Sequence, residues 1–463
     1  MLEADLYLLN EVNTLMEPTP YDKYGKISVG KILTAAGAGT FVDFYEFYVS
    51  STAAAVVWPI IFFGPLTSSK SFALILSFLT FTVSYLARPI GAFVFGHIGD
   101  KMGRTSTLGL ALIITFIAVL GTGLLPTYAQ IGILAVALLI LFRFMLGISL
   151  GGEWGGATSW VLEYAEFKGH SHKRAFYGGL LDLAIPLGVG AGGVAFALSA
   201  AYTGSSFLTF GWRIPYLAGA VIAIIGAIIR FRMLDSPLFK KVQAEKQIAR
   251  IPAAEVFRGK RALITLGAAE IYAYALVVNV LVGGPIAILY LSQAKLTGTL
   301  GLPPAAFPAF AIGLANILAA VGCVIGGILG DKIGRKYAIL ISLGLVLALY
   351  YPYVLAMASL NPIAIIAGSA IIILVDVMGT GLVASWLPEL FETRFRYSGA
   401  GLAGEIGGLI GGLIVGLVSP ALIANASGIN IVFMGIFLVG VIYCVITIFI
   451  TLLMPETRGK KLE

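Results

Sequence analysis

The feature that most constrains this chain is a nine-residue turn that occurs twice. Gly96-His97-Ile98-Gly99-Asp100-Lys101-Met102-Gly103-Arg104 joins two long apolar runs, and Gly327-Ile328-Leu329-Gly330-Asp331-Lys332-Ile333-Gly334-Arg335 repeats it at Gly, Gly, Asp, Lys, Gly and Arg. Asp331 follows Asp100 by 231 residues in a chain of 463, so the period is half the molecule. Each copy follows the second apolar run of its half. That arrangement describes a duplicated membrane unit.

Apolar residues make up 59% of the chain and charged residues 11%, less than half the roughly 25% charged residues of a soluble domain. No soluble fold hides so much apolar surface, so the bilayer is the solvent. Cys323 and Cys444 lie inside apolar runs, with no disulfide framework and no metal-ligand spacing. The first 30 residues carry Glu3, Asp5, Glu11, Glu17 and Asp22 rather than the basic start and short apolar core of a secretory signal. They read as a cytoplasmic tail.

Segments long enough to span fall near 31–58, 72–97, 104–124, 131–165, 175–201, 212–233, 262–292, 305–330, 337–358, 361–388, 397–424 and 429–454, twelve in all. With the tail inside, 25 of the 30 basic residues lie on the cytoplasmic side, including nine between Arg230 and Arg261. Lys70, Arg213 and Lys295 fall outside, and Arg88 and Arg143 lie within spans. The positive-inside rule therefore puts both termini in the cytoplasm. This clustering at loops also rejects a nucleic-acid reading of the net charge of +7.

The expected fold is an all-α membrane protein of twelve transmembrane helices in two pseudo-symmetric six-helix bundles. Residues 1–30 form the first tail, 31–233 the N-terminal bundle, 234–261 a charged cytoplasmic linker, 262–454 the C-terminal bundle and 455–463 the closing tail. Glycines crowd the fifth span (Gly188, Gly190, Gly192, Gly193) and the eleventh (Gly401, Gly404, Gly407, Gly408, Gly411, Gly412). Small residues at helical spacing let backbones approach closely. Asn425-Ala426-Ser427 is a glycosylation sequon in an expected outside loop.

The pattern G-x-x-G-D-K-x-G-R after the second span of each half resembles the loop signature of the major facilitator superfamily of transporters, and the resemblance covers nearly the whole chain. Arg143-Phe144-Met145-Leu146-Gly147 with Gly151-Gly152-Glu153, the stretch from Arg174 to Pro186, Asp235-Ser236-Pro237-Leu238-Phe239, the run from Glu389 to Gly399 and Pro455-Glu456-Thr457-Arg458-Gly459 are similar to the metabolite:proton symporter branch, close to the sugar porters and phosphate symporters. Departures stand at Asp235, where the branch usually has Glu, and at Glu392, where it has Pro. The branch usually carries amides where this chain has Asp182 and Glu405, so its substrates do not transfer.

Charged side chains in spans cost at least about 2.5 to 3.5 kcal/mol each at the bilayer centre, so they are expected to face a cavity or a partner. Asp43, Glu46, Glu153, Asp182, Glu270, Asp376 and Glu405 are such acids, and Arg143 is taken as the one mid-span cation. A set so unbalanced cannot all be ionised in a dry interior, so some of these groups bind protons near neutral pH.

Asp43 and Glu46 lie three apart on one helical face, continued by Ser50. The resemblance ties an acidic pair in this span to proton coupling and substrate contact, and Arg143 is its natural partner. The pair either opens when substrate or proton intervenes, or stays closed as a static tie between spans one and four. Glu153 lies ten residues beyond Arg143, about 15 Å along the helix and so at another depth. It either gates or packs. Asp182 precedes Pro186, where a missing backbone donor loosens the helix, and it either lines the cavity or bonds the loosened turn. Glu270, Tyr274 and Asn279 offer the second half a polar cavity wall or interhelical hydrogen bonds. Asp376 corresponds to position 145 in the repeat frame, near Arg143, which argues for the central cavity, and Glu405 is similar. Trp386 and Tyr290 either stack on a sugar ring or pack.

The repeated loops have a different task. Asp100 and Asp331 are placed to meet a helix N-terminus or an arginine. Arg104, Arg174, Arg335 and Arg396 can pair with Glu163 and Glu389 at the cytoplasmic ends of spans four and ten. Pairs that form in one state and break in the other make a cytoplasmic gate.

Together these residues favour a secondary active transporter in the plasma membrane. It would be a monomer that carries a small polar metabolite, such as a sugar or polyol, an organic acid or a zwitterion, by proton-coupled symport. The only cofactor expected is the coupling proton. Phosphate or cation transport with protons, and uniport, stay open as alternatives. A membrane-embedded enzyme is the reading from another class, but His97, His170 and His172 fall at loops with no ligand spacing, and no P-loop indicates ATP drive.

Overall fold

The computed structural model describes residues 27–233, 235–237, 239–240, 252–283, 287, 291, 306–414 and 429–462. Asn279 (at its side chain), Tyr290, the Asn425 sequon and nearly all of the first tail lie outside the described residues.

Each of the twelve apolar segments holds a helix. The N-terminal half contains α1 (Val29–Val56), α2 (Lys70–Met102), α3 (Arg104–Leu124), α4 (Ile133–Phe167), α5 (Arg174–Asp182 continued by Ala184–Thr203) and α6 (Arg213–Phe231). The second half contains α7 (Lys260–Gly283), α8 (Ala306–Ala319 continued by Val321–Ile333), α9 (Arg335–Ala358), α10 (Pro362–Glu389), α11 (Arg396–Leu413) and α12 (Ile429–Leu453). Among the described residues nine helices are long and apolar enough to cross a membrane, or ten if α1 is joined to the bent segment that follows it.

Local chemistry sets the helix ends. Ser28 and Ser69 accept from the first-turn amides of Lys31 and Phe72, both at 3.3 Å, and Asn361 caps α10 through Ile363 N and Ala364 N. Between α2 and α3 the chain turns at Gly103 with φ of 124°, and between α8 and α9 at Gly334 with φ of 103°. Only glycine adopts that backbone readily. The two repeated glycines are therefore fixed by the turn itself.

The glycine-rich faces pack as small residues allow. Gly190 and Gly193 of α5 meet α8 at Gly313, Gly188 and Gly192 meet the backbone of α1, and Gly401 of α11 meets Gly155 of α4. Contacts of α5 with α8 and of α4 with α11 join the two halves. Large apolar side chains such as Leu263 and Phe449 stay exposed on the outside, as a bilayer requires. α5 is interrupted at Leu183, three residues before Pro186, so Asp182 ends its first piece.

Candidate functional site

At the end of the bundle that carries the repeated loops, two glutamates each sit between two arginines. Glu163 of α4 forms an ion pair with Arg104 of its own half at 2.9 Å and accepts from Arg396 of the other half at 2.7 Å. Glu389 of α10 accepts from Arg335 of its own half at 2.8 Å and pairs with Arg174 of the other half at 2.8 Å. All six side chains are at most 2% exposed. In such surroundings a charge pair is held tightly and a lone charge is costly.

The aspartates of the loops cap helices across the same divide. Asp100 accepts from Tyr397 N at 3.3 Å and Ser398 N at 2.9 Å, in the first turn of α11. Asp331 accepts from Ala175 N at 3.0 Å and Phe176 N at 2.9 Å, in the first turn of α5. Each carboxylate meets unsatisfied amide donors and the positive end of a helix dipole. All eight gate residues read from the sequence thus converge in one two-fold network that joins the halves.

A second tier of this network was not read from the sequence. Asp235 accepts from Arg104 N at 3.0 Å, and Ser236 Oγ donates to Glu163. Glu456 accepts from Arg335 N at 3.1 Å and Lys336 N at 3.0 Å, and Thr457 Oγ1 donates to Glu389. An acid followed by a hydroxyl recurs at a separation of 221 residues, which is the signal that marks it. Burial pushes the Asp235 carboxyl above its usual range, against the amides of Arg104 and Ser236. Burial also acts on Glu456, but the amides of Arg458, Lys336, Arg335 and Thr457 outweigh it and hold that carboxyl below its usual range.

In the interior, Arg143 bonds Glu46, not Asp43. Its Nη1 donates to Glu46 Oε1 at 2.5 Å and to Ser50 Oγ at 2.6 Å, and its Nη2 to Thr122 Oγ1 at 3.0 Å. Both charged groups are buried among helices of the first half. Arg143 is also not the only mid-span cation. Arg230, taken from sequence as a cytoplasmic-side cation at the end of the sixth span, is fully buried near the end of α6. It grips both carboxylate oxygens of Glu153 and donates to Ala35 O at 2.9 Å and Ala36 O at 2.7 Å. A Cβ at Gly39 would overlap this pair, so a glycine on α1 leaves the room it occupies.

Besides the arginines of the loop-end network, Arg88 is the third buried cation. Its Nη1 lies 3.7 Å from Glu405 Oε2 across the divide between the halves, and its guanidinium sits 4.6 Å from the Tyr85 ring centroid. Three of the seven acids, Glu46, Glu153 and Glu405, therefore have an arginine, and the imbalance is smaller than composition suggested.

Asp43 meets Arg88 and Glu405 in a narrow chamber, together with Phe44, Phe47, Leu150, Trp154 and Tyr272. An adjoining space shares Phe44, Trp154 and Tyr272 and adds Asp182, Ile185, Ala275, Leu276, Thr380 and Val383. Both halves contribute walls, so the chamber lies between them. Asp182 Oδ1 accepts from Trp154 Nε1 at 3.3 Å.

Three expected cavity residues point elsewhere. Glu270 accepts from Thr447 Oγ1 of α12 at 2.8 Å, inside its own half. Tyr274 and Asp376 interact electrostatically with each other in the same half, and neither lines the chamber described above. Asp376 and Arg143 both face the interior of a single half, so the repeat relation holds but does not lead to the centre. Trp386 packs and donates to Pro455 O at 3.1 Å. Among the described residues no cluster of three or more His, Cys, Asp or Glu could hold a metal.

Comparison with known proteins agrees with this architecture. The family model of the Major Facilitator Superfamily matches residues 36–412. The inner membrane metabolite transport protein YhjE of Escherichia coli is 36% identical over 377 residues, 81% of this chain and 83% of that protein. The ectoine/proline transporter ProP of Corynebacterium glutamicum is 30% identical over 389 residues, 79% of this chain and 72% of that protein. A solved structure of the proton:xylose symporter XylE bound to 6-bromo-6-deoxy-D-glucose is 18% identical, with a TM-score of 0.73 over 94% of this chain and 97% of that one.

Proposed function

Because this chain belongs to the major facilitator superfamily of transporters, multi-pass proteins of the plasma membrane, we propose that it takes up a small polar organic metabolite together with protons by alternating access. The single observation that carries this reading is the chamber between the halves, where Asp43 and Glu405 share one guanidinium, that of Arg88. Two carboxylates facing one cation in a low-dielectric space favour binding of a proton. A proton taken up there with substrate and released on the other side couples the two fluxes.

The two bundles meet at the Glu163 and Glu389 networks, which form the cytoplasmic gate, with both termini on that side. In this form the gate is closed, and access requires its cross-half pairs to separate. The Glu46–Arg143 and Glu153–Arg230 pairs are sealed within one half and move with it. A multiply charged anion such as phosphate is disfavoured by Asp43, Asp182 and Glu405 around one arginine.

The test is uptake by the purified full chain in liposomes under an imposed pH gradient, across sugars, carboxylates and amino acids. Uptake that accumulates substrate and disappears with a protonophore is expected. Uptake indifferent to the gradient would sink the coupling and leave transport standing. Asp43→Asn should lose gradient-driven accumulation while retaining exchange of internal for external substrate.

A further inference from the structure

The three charged groups of the chamber are buried yet incompletely bonded. Asp43 Oδ1, Arg88 Nε and Glu405 Oε2 have no hydrogen-bond partner, although Asp43 is only 7% exposed, Arg88 8% and Glu405 2%. The 3.7 Å between Arg88 Nη1 and Glu405 Oε2 is too long for a hydrogen bond. Buried polar atoms are ordinarily satisfied. Here a donor and two acceptors, contributed by both halves, face one space.

We propose that the occupant is a zwitterion, a small molecule with one ammonium and one carboxylate. Its carboxylate lies on Arg88, and its ammonium lies between Asp43 and Glu405 beside the rings of Trp154 and Tyr272. The two rings stand edge to face with centroids 4.9 Å apart, and aromatic rings attract cations in desolvated sites. A bare anion would meet two carboxylates for one guanidinium. A bare cation would leave Arg88 facing it without an acceptor.

A zwitterion adds no net charge to a space where Asp43, Glu405 and the adjoining Asp182 already outnumber one guanidinium. This inference rests on the reading above that substrate passes through this chamber.

The experiment uses the full-length protein in liposomes with an inward proton gradient and five radiolabelled probes. Proline and glycine betaine are zwitterions, choline is a cation, lactate an anion and xylose an uncharged sugar. At least one zwitterion should accumulate tenfold or more above the other three. Arg88→Gln should lower the ratio of zwitterion to choline uptake by tenfold or more, a ratio that does not depend on how much of the variant folds. Accumulation of lactate, xylose or choline with neither zwitterion moving would overturn the proposal, as would an unchanged ratio in Arg88→Gln. Gradient-driven lactate or xylose uptake would remove the zwitterion and leave symport intact. Zwitterion uptake indifferent to the gradient would remove symport and leave the chamber assignment intact.

Discussion

Arg396, the first residue of α11, reaches across the divide between the halves and donates to Glu163 of α4 at 2.7 Å. Its counterpart is Arg174, the first residue of α5, which reaches in the opposite direction to Glu389 at 2.8 Å. Each glutamate is also held by an arginine of its own half; Arg174 and Arg335 keep Glu166 and Asp331 as second partners, both at 3.1 Å, whereas Arg396 donates to carbonyl and hydroxyl oxygens besides Glu163.

Glu163→Gln should therefore open the repeated-loop end. Breaking a buried pair by removing one partner costs about 3–5 kcal/mol, close to the roughly 5.5 kcal/mol that carries a two-state equilibrium from 1:99 to 99:1. Spin labels on the loop ends of the two halves should report longer distances in Glu163→Gln and in Glu389→Gln, and the longest in the double variant. Distances equal to the parent in all three would show that the network does not hold this end closed.

Arg143→Gln should act on stability instead. Glu46 would keep only the Ser50 hydroxyl at 2.5 Å, leaving a buried carboxylate without its cation at a cost of about 3–5 kcal/mol. Thermal unfolding in detergent should fall clearly, and Glu46→Gln combined with Arg143→Gln should recover part of the loss. A double variant no more stable than Arg143→Gln would mean that the pair is not the source.

The loop-end network was legible because it is written twice and because its partners end spans four and ten. Arg230 was not, because a basic residue two positions before Arg232 and next to a charged linker looks like a loop cation under the positive-inside rule. Its burial depends on Gly39, on another helix, leaving room. Arg88 did lie within a span by sequence, but nothing there says that α2 faces α11 across the divide. That is fixed by the docking of two bundles. Glu270 and Asp376 show the converse, since a charged residue in a span requires a partner and the partner lay within their own half.

Gly39→Ala should be among the most damaging single changes in α1. The new Cβ would overlap the Arg230 guanidinium and the Glu153 carboxylate, so the pair must move in a region where overpacking alone costs typically about 1–3 kcal/mol. Gly344→Ala in α9 is the control, since nothing lies within 4 Å of the position that its Cβ would take. It should be neutral or stabilising by about 0.5–1 kcal/mol through helix propensity. Equal melting temperatures for the two variants would contradict the packing.

Acidification should act in opposite senses on the two repeats. Glu456 is held below its usual range by four backbone amides that outweigh burial, so its stabilising contribution is present above the unfolded value and is lost as pH falls through the depressed one. Asp235 is pushed above its usual range by burial, so its protonated form is favoured in the fold and acidification through that range costs the first repeat no stability. Hydrogen exchange across a descending pH series, corrected for intrinsic rates, should show peptides at the start of α9 losing protection while those at the start of α3 keep theirs. Loss at the start of α3 alone would mean that the amides around Glu456 do not outweigh its burial.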